Sequence, residues 1–88
     1  MLLKEIFNKI VEEKLVWANL YTIDDADKGT RKVEYESLIN GKPIHITIEF
    51  YLNTNEVIEC TLYEDDNKYW KINDLEHLES VMFDLILA

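Results

Sequence analysis

Asp25, Asp27 and Glu36 stand at relative positions 1, 3 and 12, the spacing at which an EF-hand loop sets oxygen ligands around calcium. The glycine that such a loop needs at position 6 falls at position 5, as Gly29, and the segment leads into alternating residues where a second helix would have to stand. Residues 24–30 therefore read as a polar loop in which Gly29 provides a turn. His45 and His77 are the two imidazoles, and neither lies at zinc-ligand spacing from Cys60 or from the other. No metal and no cofactor are expected. Cys60 falls within a strand-like run with no histidine placed to activate it, so it reads as an inert filler. The two glycines, Gly29 and Gly41, build no phosphate-cradling loop. Carboxylates are plentiful, but acid–base catalysis needs two of them in unlike environments, one partly desolvated. No such pair is marked out, and the expectation is a protein that binds and does not catalyse.

The elements that would position these residues follow from periodicity. Leu3, Ile6, Phe7, Ile10, Val11, Leu15 and Ala18 recur three and four apart, which predicts an amphipathic helix running to about residue 19. Residues 15–23 are also rich in strand formers, so an extra strand there is the alternative. From Arg31 the period becomes two. Asn40-Gly41 separates two such runs and predicts a type I′ hairpin, because both turn positions need positive φ. That turn sets Ile39 opposite Lys42, Ser37 opposite Ile44, Tyr35 opposite Ile46 and Val33 opposite Ile48, with Pro43 opposite Leu38. Val33, Tyr35, Ile39, Ile44, Ile46, Ile48, Phe50 and Leu52 then share one face.

A third strand, about residues 57–64, is expected to set Ile58 opposite Leu52 and to turn Ile58, Cys60 and Leu62 inward. It returns through a three-residue loop, Asp65-Asp66-Asn67, that places Tyr63 opposite Tyr69, Leu62 opposite Trp70 and Cys60 opposite Ile72. Asn73 with Glu76 reads as a variant capping box. The final helix carries Leu75, Leu78, Val81, Met82, Leu85 and Ile86 on one stripe. The fold class expected is α+β over residues 1–88 as one domain: a two-layer sandwich, α-β-β-β-β-α, with a four-stranded antiparallel meander and two helices on one face.

The opposite, wet face is the expected place of binding. The expected register sets Glu34, Thr47, Tyr63 and Tyr69 in one row, Lys32, Glu49, Thr61 and Lys71 in the next, and Tyr51 with Glu59 beyond. Tyrosine suits an interface because it offers rigid area with a polar tip. Glu64, Asp65, Asp66, Asp74, Glu76 and Glu79 add carboxylates in the following turn and the last helix. The partner-binding set read from the sequence is thus Glu34, Glu49, Tyr51, Glu59, Tyr63, Glu64, Asp65, Asp66, Tyr69, Asp74, Glu76 and Glu79.

Composition bounds the rest. Among 88 residues, 48% are hydrophobic, so the chain escapes the signature of disorder. Eighteen acids oppose nine bases for a net charge of −9. Residues 1–32 balance, while residues 43–88 hold the bulk of the excess. Such a field disfavours direct nucleic-acid and anionic-membrane binding and favours a protein with a basic surface. A single cysteine, no signal-peptide pattern and no apolar run of membrane length make the cytoplasm the expected compartment.

No family motif is matched residue by residue. In size, acidity and compactness the chain resembles small acidic antagonists of phages and mobile elements, such as anti-CRISPR proteins and uracil-DNA glycosylase inhibitors. That resemblance implies an inhibitor that sets carboxylates in place of phosphates in a basic channel. The alternatives are a homodimeric adaptor resembling secretion chaperones, and an immunity or antitoxin protein. The antagonist reading goes with a monomer, and the adaptor with a homodimer.

Overall fold

The computed structural model describes residues 1–12, 15–65 and 67–87. The elements run α1 (Leu3–Glu12), β1 (Ala18–Asp25), β2 (Thr30–Ile39), β3 (Lys42–Tyr51), β4 (Val57–Asp65), β5 (Lys68–Lys71) and α2 (Leu75–Leu87). The strands pair antiparallel in chain order to make one open sheet. Ile6 and Ile10 of α1 and Leu78, Val81 and Met82 of α2 share one buried core with Val33, Ile44, Ile46, Ile48, Phe50, Cys60 and Leu62 of the sheet. The class is α+β, as the periodicity implied, with five strands where four were expected. Among the described residues no helix is long and apolar enough to cross a membrane.

The additional strand is β1. The first helix is described over Leu3–Glu12, and Ala18–Asp25 pairs along the outer side of β2 from Ala18↔Glu36 to Asp25↔Thr30. Tertiary pairing overrides the helical spacing here. The β-branched and aromatic residues at 16–23 suit an extended backbone, and the ladder satisfies the outer peptide groups of the ten-residue β2. Val11, expected on the buried stripe, is 65% exposed. A bulge interrupts β1 between Asn19 and Tyr21. The Asn19 side-chain amide fastens it by donating to the carbonyls of Tyr21 (3.1 Å) and Glu34 (3.3 Å). Asp24 and Asp25, read as loop, lie in β1. Asp25 Oδ1 accepts from the amides of Asp27 (3.1 Å) and Lys28 (3.2 Å), which closes the turn into β2 with Gly29 at φ 66°.

The β2–β3 hairpin has the register expected of it, from Ile39↔Lys42 through Ser37↔Ile44, Tyr35↔Ile46 and Val33↔Ile48, with Leu38 opposite Pro43. Asn40 and Gly41 take φ of 53° and 77°. Ile44, Ile46 and Ile48 are buried to 1%, 0% and 0% exposure. Asn40 also donates to the carbonyls of Leu85 (3.1 Å) and Ile86 (2.9 Å). The turn residue thereby supplies hydrogen bonds that the end of α2 cannot make for itself.

The β3–β4 register differs from the expected one by two residues. Thr47 faces Thr61, Ile48 faces Cys60 and Glu49 faces Glu59, after which Ile58 is left unpaired and Phe50 faces Val57. The cause is a tighter connection. Asn55 N donates to Tyr51 O (2.8 Å) and Tyr51 N to Glu56 O (3.0 Å), while Asn55 takes φ 61°, a left-handed conformation that asparagine tolerates better than most residues. The start of the chain locks this turn through Leu3 N to Asn55 O (2.9 Å) and Val57 N to Met1 O (2.8 Å). Ile58 and Leu52, both expected inside, are consequently 44% and 42% exposed, and Val57 packs on the core in their place.

The last turn and helix also shift slightly. Leu62↔Trp70 and Tyr63↔Tyr69 stand as expected, and Ile72 N donates to Cys60 O (2.8 Å). Asp65 pairs with Lys68, so a bulge at Glu64 replaces the three-residue loop. The N-cap of α2 is Asp74 and not Asn73: Asp74 Oδ1 accepts from His77 N at 2.7 Å. His77 Nδ1 accepts in return from Asn73 N (3.2 Å), so this histidine, read as a surface residue, completes the cap.

Candidate functional site

Four strands build the centre of the open face. The hairpin register aligns Glu36 with His45, the β3–β4 register aligns His45 with Tyr63, and β5 adds Tyr69. The neighbouring row holds Tyr21, Glu34, Thr47, Thr61 and Lys71, and the next holds Ile23, Lys32, Glu49 and Glu59. The expected rows are thus corrected: Tyr63 and Tyr69 stand beside Glu36 and His45, while Thr47 faces Thr61.

Glu34 is the hub of a polar network. Its Oε1 accepts from the Tyr63 hydroxyl and from Thr47 Oγ1, the latter at 3.3 Å. Its Oε2 lies 3.5 Å from His45 Nδ1, and His45 Nε2 lies 3.2 Å from Glu36 Oε2. The imidazole stacks on the Tyr63 ring, with centroids 4.9 Å apart and planes 10° from parallel. Among the described residues, His45 Nδ1 is buried without a hydrogen-bond partner. Its separation from Glu34 leaves an electrostatic contact without hydrogen-bond geometry. The Glu34 side chain is only 13% exposed, so two hydroxyl donors replace much of its water.

Burial, and then the neighbouring Glu34 carboxylate, push the Tyr63 phenol up to about 12. A phenol so placed donates and does not act as a base near neutrality. Cys60, buried beneath the sheet, is likewise pushed up to about 12 by desolvation, which leaves little thiolate to act as a nucleophile. Of the five tyrosines, Tyr63 is expected to ionise late when phenolate absorbance is followed with pH, and Tyr63→Phe to remove that late step. The neutral phenol is the form favoured by folding. Its stabilising contribution is therefore complete below pH 10 and is lost as pH rises toward about 12.

Beside this network lies a shallow cavity of about 210 Å³ lined by Lys32, Thr47, Glu49, Glu59, Thr61 and Tyr63. Glu49 and Glu59 oppose each other directly across the ladder, an arrangement of like charges that costs stability. Neither makes an ion pair among the described residues.

The twelve sequence-derived residues do not form one surface. Glu34, Glu49, Tyr51, Glu59, Tyr63 and Tyr69 occupy the open face. Glu64, at the end of β4, binds Lys68 (3.2 Å) and Lys42 (3.4 Å), and these two ammonium groups hold its carboxyl below the usual range. Asp65 closes β4, and Asp66 lies outside the described residues. Asp74, Glu76 and Glu79 belong to the helical layer, where Asp74 caps α2 and Glu79 pairs with Lys9 at 2.9 Å. Sequence reasoning missed Tyr21, Glu36 and His45 as members of the site. The Asn40-Gly41 register already held the signal for the last two, since it set them opposite each other; Tyr21 was hidden by the helical reading of residues 15–19.

Among the described residues, no three His, Cys, Asp or Glu are gathered to hold a metal ion. Comparison with known proteins finds no matching family model, no matching curated protein and no matching solved structure.

Proposed function

We propose that this chain is a non-catalytic acidic binding module that blocks a basic, nucleic-acid-binding protein, with its open sheet face set where phosphates would lie. The observation that carries this reading is the pair Glu49 and Glu59, two carboxylates with no ion-pair partner among the described residues, beside a tyrosine-bordered hollow. Opposed like charges are retained at a cost to folding, and a cationic partner would relieve that cost on binding. The net charge of −9 steers basic surfaces toward the chain and repels nucleic acid and anionic membranes. Glu64, Asp74 and Glu79 are engaged within the chain, so the open face, and not the helical layer, carries the proposal. A reducing, cytoplasmic setting suits the free, buried thiol of Cys60.

The test is capture of a partner from host lysate, followed by titration of the purified pair. Affinity is expected to fall steeply with added salt, double-stranded DNA to compete, and Glu49→Gln with Glu59→Gln to weaken binding roughly tenfold, about 1.4 kcal/mol. A partner held equally well at high salt, or by the doubly substituted chain, would overturn the reading.

A further inference from the structure

The two edges of the sheet are built differently. β5 is four residues long and begins and ends with Lys68 and Lys71, two devices by which native sheets keep an edge from pairing with another chain. β1 has eight residues and no proline, and residues 15–23 form an uncharged run in a chain that is 31% charged. Along it Ile23 is 58% and Leu20 47% exposed. Among the described residues its outer peptide groups face no strand, because β1 stands at the end of the sheet.

We propose that β1 is the seam of a homodimer, its free edge pairing antiparallel with the same edge of a second copy about a two-fold axis at Thr22. The reason for a second copy is self-complementarity. A two-fold axis normal to the sheet keeps every side chain on its own face, so Thr22 meets its own equivalent. Tyr21 meets the partner's Ile23, and Ile23 the partner's Tyr21. Thr–Thr and aromatic–β-branched pairs are among the favourable cross-strand neighbours. Asp24, already held by Arg31 at 2.6 Å, then faces the partner's Leu20, and Asp25 faces the partner's Asn19. No carboxylate opposes another. The bulge between Asn19 and Tyr21 bends the strand there, so Tyr21, Thr22 and Ile23 of each copy make the regular part of the seam and the outer pairs lie at its bent ends. Both open faces emerge on the same side of a continuous ten-stranded sheet. The dimer does not rest on the proposed function and departs from the monomer expected of an antagonist; it would double the acidic surface.

The sign of the salt effect separates the two proposals. Each copy carries −9, so screening strengthens the dimer while it weakens the grip on a basic partner. Sedimentation of the full chain is expected to show a dimer whose share rises with concentration and with salt. Thr22→Cys should give an intermolecular disulfide on mild oxidation, because directly opposed residues come within disulfide reach. Glu76→Cys, on the helical layer, should not. Ile23→Glu, whose new carboxylate would face Lys32 in its own sheet, should abolish the dimer while leaving the far-ultraviolet circular dichroism unchanged. A chain that stays monomeric at all salt concentrations up to about 1 mM protein overturns the seam. So does a dimer that survives Ile23→Glu, or one that Thr22→Cys fails to trap.

Discussion

Ile46→Ala is expected to cost about 2–5 kcal/mol, the largest loss of any single truncation considered in this chain. Ile46 is 0% exposed on the central strand, opposite Tyr35 on one side and Leu62 on the other, beneath a core to which both helices contribute. The alanine would remove the packing atoms and leave a cavity that a rigid sheet cannot collapse to fill. Against a typical domain stability of roughly 5–15 kcal/mol, this brings the chain close to unfolding at ambient temperature. Urea denaturation should show a lower midpoint with an unchanged slope. Ile58→Ala supplies the contrast. Sequence periodicity alone would set it inward and make it comparably costly, whereas the β4 bulge leaves Ile58 44% exposed, and a change within about 0.5 kcal/mol is expected. Equal losses at the two positions would refute the β3–β4 register.

Asn40→Ala is expected to cost about 2–4 kcal/mol through two separable terms. The first is backbone strain: φ is 53° at this residue, and a left-handed conformation costs an alanine about 1–2 kcal/mol. The second is loss of the hydrogen bonds to the carbonyls of Leu85 and Ile86, each contributing about 0.5–1 kcal/mol at this exposed turn. Asn40→Gly removes only the second, since glycine adopts positive φ freely. The glycine variant should therefore recover about half of the loss. Hydrogen exchange in the last turn of α2 should quicken in both variants. If the glycine variant matched the native protein in both respects, the link between the hairpin turn and α2 would contribute nothing.

The fold also divides the acidic residues by use. Asp24, Asp25, Glu64, Asp74 and Glu79 are bound to arginine, lysine or backbone donors that organise turns and helix ends. Glu34 is fixed by hydroxyl donors and a stacked imidazole edge. Glu49 and Glu59 are left facing each other at the cavity. Substituting the first group should change stability more than binding. The last pair should do the reverse, because side chains with no ion pair among the described residues lose little on truncation.

Local chemistry was enough to specify the β2–β3 hairpin, from Asn40-Gly41 through every opposed pair to Val33 and Ile48, because a two-residue turn leaves one register and the period-two pattern agrees with it. The existence of α2 and its buried stripe were legible from hydrophobic periodicity, and the pairing of Tyr63 with Tyr69 was reached although the turn closes through a bulge at Glu64 and the cap is Asp74. Three features depended on contacts between distant residues. Ala18–Asp25 became a strand because β2 offered it an open ladder, a gain invisible in a stretch whose apolar spacing also fits a helix. Ile58 was turned outward by the tight loop around Asn55, which the Met1–Leu3 backbone pins from more than fifty positions away. The His45–Tyr63 stack beside Glu34 required that loop, since a shift of two residues in the β3–β4 register preserves which face each side chain occupies while changing its neighbours. Alternation determines the face; only long-range backbone pairing determines the neighbour, and a binding site consists of neighbours.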